Sequence, residues 1–314
     1  MENADRRKHL RWLSALVLAL LVALGIWMVL ENGEKWLRQI SSFTWHPRWL
    51  WLSASVVILG LSYYFIPAGW TILAERAGSR AEKRQLRAVW FMSQLGRYVP
   101  GKVWLFAGRA AFLRSRGLTG YRATSVPFLE LLFTAAGAGL AALPPVLVSG
   151  GPVFSSPALK GALIAAGTAI LIIPLLRPIQ RWLYRLKYGS TPADLPLPGP
   201  FGTLRLLFIY ACLWWVRGVS LYLWLYGFGL SGISPGMCLA AAPLSWLAGY
   251  VVFLVPGGIG VREAAVTAMV APAGLTGPVL AVIAGQRLIL SVLEVSFALA
   301  AAGRTRMFGK GNGE

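Results

Sequence analysis

The 314-residue chain is 57% hydrophobic and only 13% charged, a composition far from that of soluble globular domains. Its net charge of +19 does not indicate a nucleic-acid partner, because the basic residues cluster at the ends of apolar segments and form no basic domain. The sequence therefore predicts an all-α integral membrane protein.

Six apolar stretches are long enough to cross the bilayer, since about 20 mostly apolar residues span roughly 30 Å of hydrocarbon. The first follows a basic amino terminus, and we interpret it as a retained anchor because no small-residue cleavage site comes after it. A cleaved signal peptide is the alternative. The six predicted spans are 12–30, 49–73, 123–148, 158–176, 203–230 and 278–302.

The charges between these spans predict their orientation. An amino terminus in the cytoplasm places the arginine- and lysine-rich stretches 76–87 and 177–187 inside, and it places the charge-free loops 231–236 and 271–277 outside. We therefore expect a single polytopic domain over 1–314 in the plasma (inner) membrane, with both termini cytoplasmic.

Two further apolar regions, 89–113 and 237–270, are interrupted near their middle by Pro-Gly motifs. Proline removes a backbone donor and clashes with the preceding turn, whereas glycine permits the chain to reverse. We interpret each region as a re-entrant pair of half-helices beside a cavity; one kinked span each is the alternative. The residues that mark the breaks are Pro100, Gly101, Pro256, Gly257, Gly258 and Gly260.

The two breaks belong to a weak internal repeat. Val-Pro-Gly at 99–101 recurs at 255–257, and Gly-Leu-Thr-Gly at 117–120 recurs at 274–277. In the predicted orientation the copies enter the membrane from opposite sides, which makes them an inverted repeat like those of many transporters. The first copy covers about 49–148 and the second about 203–302.

Charged residues in or near the predicted hydrocarbon region indicate a substrate site. Each costs about 2.5–3.5 kcal/mol at a helix centre on insertion scales, so we expect them to line a cavity or to pair. Glu130 and Arg287 lie thirteen residues past the equivalent glycines of the two copies and are the expected pair, and Arg217 is a further charge within a span. The helix amino termini after the breaks favour an anionic head group; the alternative is that these charges only bond the irregular backbone. The predicted substrate-binding residues are Arg97, Lys102, Arg109, Glu130, Arg262, Glu263, Arg287 and Glu294.

The most specific motifs are Phe-Leu-Val-Pro-Gly-Gly-Ile-Gly-Val-Arg-Glu-Ala-Ala at 253–265, followed by Gln286-Arg287, and Gly-Arg-Tyr-Val-Pro-Gly-Lys at 96–102. With these motifs the chain resembles, from about residue 50 to 302, the transmembrane region of the lysylphosphatidylglycerol synthase family, also called flippase-like or UPF-type. The resemblance implies a lipid-handling domain whose broken helices form the path of an amphiphile's head group. Lys102 stands where an arginine is frequent, and Glu130 lacks the arginine that often follows it, so the resemblance does not fix the identity of the head group. Lysyl transfer is not expected, because no aminoacyl-transfer domain follows the last predicted span.

We therefore expect a flippase or translocase that moves an anionic or carrier-lipid amphiphile between leaflets: a phospholipid, an aminoacylated phospholipid or a polyprenyl-phosphate-linked sugar. No GxxxxGKS/T motif is present, so movement is expected without ATP, either downhill or coupled to a proton or cation. The two cysteines have no ligand spacing, and neither a cofactor nor a metal is expected. The alternatives are an intramembrane lipid-modifying transferase, although no HExxH or GxSxG occurs, and a non-transporting partner subunit that docks through the Pro/Gly-rich loop 186–202.

Overall fold

The computed structural model describes residues 27, 30–98, 103–149, 198–252 and 255–309, and in these ranges the chain forms helices and connecting loops but no strand. The α-helices in chain order are α1 (30–42), α2 (Trp49–Phe65), α3 (Pro67–Arg76), α4 (Lys83–Gln94), α5 (Val103–Ser115), α6 (Gly120–Ser149), α7 (Pro200–Gly227), α8 (Pro235–Val251), α9 (Val261–Val270) and α10 (Thr276–Gly309). Short 3-10 segments cover Leu95–Tyr98 and Pro256–Gly258.

Four helical segments of the described chain are long and apolar enough to cross a membrane, and the first of them combines α2 and α3. They match four of the six predicted spans, and the remaining two fall outside the described residues except for residues 27 and 30. Most of the predicted loop 186–202 is also outside, and α7 already begins at Pro200. The four segments are Trp49–Arg76, Gly120–Val148, Pro200–Gly227 and Thr276–Gly303.

Prolines set the starts of three helices. The first residues of α3, α7 and α8 are Pro67, Pro200 and Pro235, respectively. A proline there loses no hydrogen bond, because the first N–H groups of a helix have no intrahelical partner. At Pro67 the same property divides one membrane-spanning segment into two helices, since the ring cannot continue the backbone ladder of α2.

Helix α7 packs against α2, α6 and α8, and glycines allow its backbone to approach two of them closely. A Cβ atom built on Gly218 would lie 2.6 Å from the Cα atom of Leu239 in α8. One built on Gly137 of α6 would lie 2.5 Å from the Cβ atom of Tyr210. Membrane helices gain no hydrophobic drive toward one another, so such close van der Waals packing through small residues stabilises their association.

The buried apolar side chains form two main clusters. One surrounds Trp70 and Phe133, where α3, α4 and α6 meet the first half of α7. The other surrounds Leu225 and Val279, where α8, α9 and α10 meet the second half of α7. The polar cavities described below are lined by side chains from both clusters, among them Tyr63 of the first and Ile283 of the second.

Candidate functional site

The second predicted interruption lies where α8 ends and α9 begins. Gly257, Gly258 and Gly260 have φ values of 63°, 69° and 83°, which side chains with a Cβ atom rarely adopt. Gly260 is the N-cap residue of α9, and its backbone N–H donates a 2.6 Å hydrogen bond to Oε2 of Glu263. The chain therefore reverses through glycines, and a carboxylate three residues later satisfies one of the freed backbone donors.

The first interruption lies between α4 and α5. The 3-10 segment Leu95–Tyr98 follows α4 directly, and α5 begins at Val103. Pro100, Gly101 and Lys102 belong to the four residues 99–102, which are outside the described residues. The two 3-10 segments contact each other: a Cβ atom built on Gly257 would lie 3.6 Å from Cε1 of Tyr98. The two broken regions thus meet inside the protein.

Arg109 of α5 and Glu130 of α6 form a buried ion pair beside the first break. Nη1 of Arg109 lies 2.6 Å from Oε2 of Glu130, and the Arg109 side chain is 1% exposed. Nε of Arg109 donates to the hydroxyl of Ser93 at 2.7 Å, and the indole N–H of Trp90 donates to the other oxygen of Glu130 at 3.1 Å. The rings of Trp70 and Trp90 lie 5.3 and 5.1 Å from the guanidinium carbon, a further favourable contact for a cation.

Glu263 of α9 and Arg287 of α10 form the corresponding pair beside the second break. Nε of Arg287 lies 3.6 Å from Oε1 of Glu263, and Nη2 donates a 2.6 Å hydrogen bond to the carbonyl oxygen of Gly257. Beside each break the pair joins the helix after the break to the long helix that follows it. The signs are opposite, because the helix after the first break carries the arginine and the helix after the second carries the glutamate.

A third ion pair connects the first break to α10. Arg97, in the first 3-10 segment, contacts Glu294 of α10, whose side chain is 1% exposed. The hydroxyl of Tyr98 donates to Oε2 of Glu294 at 2.7 Å and lies 3.1 Å from the hydroxyl of Ser291. The fully buried carboxylate of Glu294 therefore connects α10 to the first break.

The predicted pairing of Glu130 with Arg287 is wrong. Each of these residues pairs with a residue of the helix before it, Glu130 with Arg109 and Arg287 with Glu263. Equal depth in the membrane does not decide a pairing, because the azimuth of each helix selects which side chains meet.

Two arginines near these pairs have no ion pair with any carboxylate of the described residues. Nε of Arg217 in α7 donates to the hydroxyl of Ser62 at 3.4 Å, and the guanidinium carbon lies 5.2 Å from the centre of the Trp214 ring. Arg262 of α9 lies 6.0 Å from the Trp246 ring centre, and its Nε atom is buried without a hydrogen-bond partner. A buried donor left in this state is costly unless a ligand or water satisfies it.

The position of Arg262 depends on a glycine of α8. A Cβ atom built on Gly249 would lie 2.5 Å from Cγ and 2.6 Å from Nε of Arg262. The stem of the arginine therefore occupies the space that any larger residue at 249 would fill. Helix α8 leaves this space and thereby fixes where the cation lies.

Two small cavities, which together we call the inner cavity, lie among these charges. One has a volume of about 100 Å³ and is lined by Glu263 and Arg287, and the other has about 60 Å³ and is lined by Arg97 and Arg109. The two share a smaller set of lining residues. These are Arg217, Trp246 and Arg262.

The inner cavity is too small for a lipid head group in this conformation. Ligand pockets commonly have about 300–1,000 Å³, whereas a water molecule occupies about 30 Å³ of liquid. The described volumes therefore suit a few water molecules, and a larger ligand requires the cavity to widen.

The family model for the lysylphosphatidylglycerol synthase transmembrane region matches residues 12–293. The chain belongs to this family. No curated protein matches it. The family region contains both breaks and all five arginines that line the inner cavity, and Glu294 lies one residue beyond its end.

Within this family region the structure brings most of the predicted site residues together. Six of them line the inner cavity, Glu294 reaches it through its contact with Arg97, and Lys102 is outside the described residues. The six are Arg97, Arg109, Glu130, Arg262, Glu263 and Arg287.

Arg217 and Gln286 line the cavity and were not among the predicted binding residues. Arg217 lies near the middle of an apolar span of 28 residues, whose other cation, Arg205, is near its start, and this central position was the signal that could have added it. Gln286 lines the cavity and donates through Nε2 to the hydroxyl of Ser220 at 3.3 Å. Gln286 is uncharged and therefore gives no signal in an apolar segment comparable to that of its neighbour Arg287.

Proposed function

We propose that this protein is a membrane lipid flippase or translocase that moves an anionic or carrier-lipid amphiphile between leaflets without ATP. The observation that carries the proposal is the pair of arginines in the inner cavity, Arg217 and Arg262, that lack a carboxylate partner among the described residues. Family membership supports a lipid-related membrane protein. The remaining steps rest on charge and architecture.

The charges of the inner cavity favour an anion as the transported group. Three arginines are neutralised by three glutamates in the ion pairs described above, so Arg217 and Arg262 leave two uncompensated positive charges. A charged residue at a helix centre costs about 2.5–3.5 kcal/mol on insertion scales. A phosphate that enters the cavity would offset this cost for both arginines, whereas a cationic or neutral head group would not.

The architecture supports a transport path of the inverted-repeat type. We propose six spans and two re-entrant helix pairs in the plasma (inner) membrane, with both termini in the cytoplasm and with copies at about 49–148 and 203–302. The sign-reversed pairs beside the breaks support the repeat, and so do Gly117 and Gly274, which have φ values of 91° and 84° at equivalent turns. Broken helices that meet at the midplane are where such transporters bind their substrates.

The carboxylates favour transport over an intramembrane transferase. Glu130 and Glu294 are each ion-paired with an arginine and accept a hydrogen bond from a further donor, and Glu263 caps α9 while it pairs with Arg287. A general base needs a carboxylate free to take a proton from the substrate. Movement is then downhill or coupled to a proton or cation that exchanges with one of these pairs.

Proteoliposomes test this proposal. The purified protein is reconstituted with labelled phosphatidylglycerol or a labelled polyprenyl-phosphate lipid, and exchange between leaflets is followed with and without a proton or sodium gradient. We expect exchange of at least one lipid, slowed about ten- to a hundredfold in Arg217→Gln and Arg262→Gln, because a hydrogen bond to a charged group contributes about 1.5–3 kcal/mol.

The matched control is Arg38→Gln, which removes a cation whose side chain is 75% exposed. Its exchange rate should equal that of the wild type. Absence of exchange with every lipid under every gradient would overturn the proposal, and equal rates in the cavity variants and the wild type would remove the inner cavity from it.

A further inference from the structure

A large groove lies apart from the inner cavity, on the other side of α4. Its volume is about 1370 Å³, and the helices around it are α2, α3, α5, α7 and α10. None of its lining residues lines the inner cavity. Helix α4 separates the two, because Trp90 and Gln94 face the inner cavity whereas Val89 and Met92 face the groove.

The groove is polar at one end and apolar at the other. Along α4 its lining changes from Lys83 and Arg87 near the helix start to Phe91 and Met92 near the helix end. The wall formed by α10 is apolar, and its Phe297 stacks on Phe91 at the apolar end. An amphiphile has the same division between a polar head and apolar chains.

The polar end carries an excess of positive charge. Five basic and two acidic side chains line the groove, and one of the acids, Glu75, already pairs with Lys83 at 3.7 Å. Arg87, Arg116 and Arg205 form no ion pair with a carboxylate of the described residues. Arg87 instead donates to the Tyr64 hydroxyl at 3.3 Å, and Arg116 lies over the Phe112 ring at 5.4 Å.

Three aromatic rings lie between the groove and the inner cavity; we call them the aromatic wall. Phe91 and Phe297 line the groove and stack on each other with centroids 5.1 Å apart. Tyr63 lines the inner cavity and contacts both phenylalanine rings at 5.6 Å. The two spaces are thus neighbours divided by side chains alone at this point.

We infer that the groove is a loading site that binds an anionic lipid from the adjoining leaflet before its head group reaches the inner cavity. The phosphate lies among Arg87, Arg116 and Arg205, and the chains follow Phe91 and Met92. Charge complementarity selects an anionic lipid over a zwitterionic one, and the volume exceeds the roughly 300–1,000 Å³ of common small-molecule pockets. This inference rests on the proposed function and adds a site to it.

Photocrosslinking in nanodiscs tests the loading site. A benzophenone amino acid replaces Ala300, which is exposed in the groove, and the full-length protein is irradiated in nanodiscs of phosphatidylglycerol or of phosphatidylcholine. We expect a lipid adduct by mass spectrometry in phosphatidylglycerol, at least fivefold weaker in phosphatidylcholine. The double variant Arg87→Gln, Arg205→Gln should lose the preference, whereas Arg38→Gln should keep it.

The outcomes separate this inference from the proposed function. An adduct of equal yield in both lipids, or one unaffected by the double variant, overturns the loading site even if proteoliposomes exchange lipid. The preference should persist in Arg262→Gln, which slows exchange, because Arg262 lies outside the groove. A charge-dependent adduct without any exchange would keep the loading site and reject the flippase. Crosslinks to an acidic protein in native membranes, with none to lipid, would reassign the groove to a protein partner and overturn the inference.

Discussion

The two broken regions use the same kinds of residues with different results. Beside the first break, Arg109 and Glu130 lie 2.6 Å apart. Arg109 also donates a hydrogen bond to Ser93, and Glu130 also accepts one from Trp90. Beside the second, Glu263 and Arg287 are 3.6 Å apart, and the adjacent Arg262 has a buried Nε without a partner.

This difference indicates a structural role for the first pair and a ligand-binding role for the region of the second. A buried ion pair contributes when its hydrogen bonds are satisfied, and it is strongly destabilising when one partner is removed. The first break meets this description and connects α5 to α6. The second leaves a cation with bonding capacity in a cavity, which is the arrangement expected where a ligand binds.

The largest expected effect comes from Glu130→Ala. It leaves Arg109 buried and without its carboxylate, so the folded state should lose about 3–5 kcal/mol. Thermal unfolding of the detergent-purified protein, followed by tryptophan fluorescence, measures the change.

The double variant Arg109→Met, Glu130→Leu sharpens that result. Replacing a buried pair with apolar residues is often neutral, so it should unfold close to the wild type. If the double variant is as unstable as Glu130→Ala, then shape and not charge decides the stability of this region.

An intermediate effect is expected for the pair that connects the first break to α10. Arg97→Gln and Glu294→Gln should each destabilise the protein, and their double variant should lose less than the sum of the two, with a coupling energy of about 0.5–3 kcal/mol. A double-variant cycle in thermal unfolding measures it. Additive losses would show that the contact between Arg97 and Glu294 does not hold the last helix to the first break.

Arg262→Met should act in the opposite direction on stability. The substitution removes a buried donor without a partner and breaks no ion pair of the described residues, so unfolding should require the same free energy or about 1 kcal/mol more. Loss of lipid exchange with unchanged stability identifies a binding residue. A destabilisation like that of Glu130→Ala would instead assign Arg262 to the scaffold.

The smallest effect is expected for Glu34→Gln in α1. Glu34 and Arg38 are 3.5 Å apart at helical spacing, but their side chains are 86% and 75% exposed. Exposed pairs of this kind contribute about 0.3–0.5 kcal/mol, which falls further in high salt. A shift in the unfolding midpoint as large as that of the buried pairs would contradict the comparison drawn above.

The sequence allowed the four described spans and both interruptions to be located, because hydropathy and Pro-Gly motifs act locally along the chain. The positive φ angles of Gly257 and Gly260 follow from the same local rule. The identity of the buried charges was also accessible, since a charge in an apolar segment is conspicuous in any sequence. These features require no knowledge of how the helices pack.

The partners of those charges were not accessible. Arg109 precedes Glu130 by 21 residues, and they meet only because α5 folds back along α6. Arg97 reaches Glu294 across almost 200 residues, through a contact between the first break and the last helix. Such contacts depend on helix azimuth and packing, which a single sequence does not encode at a fixed spacing. The groove was missed for the same reason, because its cations come from α4, the turn after α5 and α7, which are distant in sequence.

Gly249 has a consequence for comparing this protein with other members of its family. Its missing side chain is the space in which the stem of Arg262 lies, so an alanine there would displace the guanidinium group. Members that keep the arginine but carry a larger residue at this position must hold its guanidinium group in a different place. The residue at position 249 therefore changes the charge pattern of the inner cavity even where every charged residue is identical.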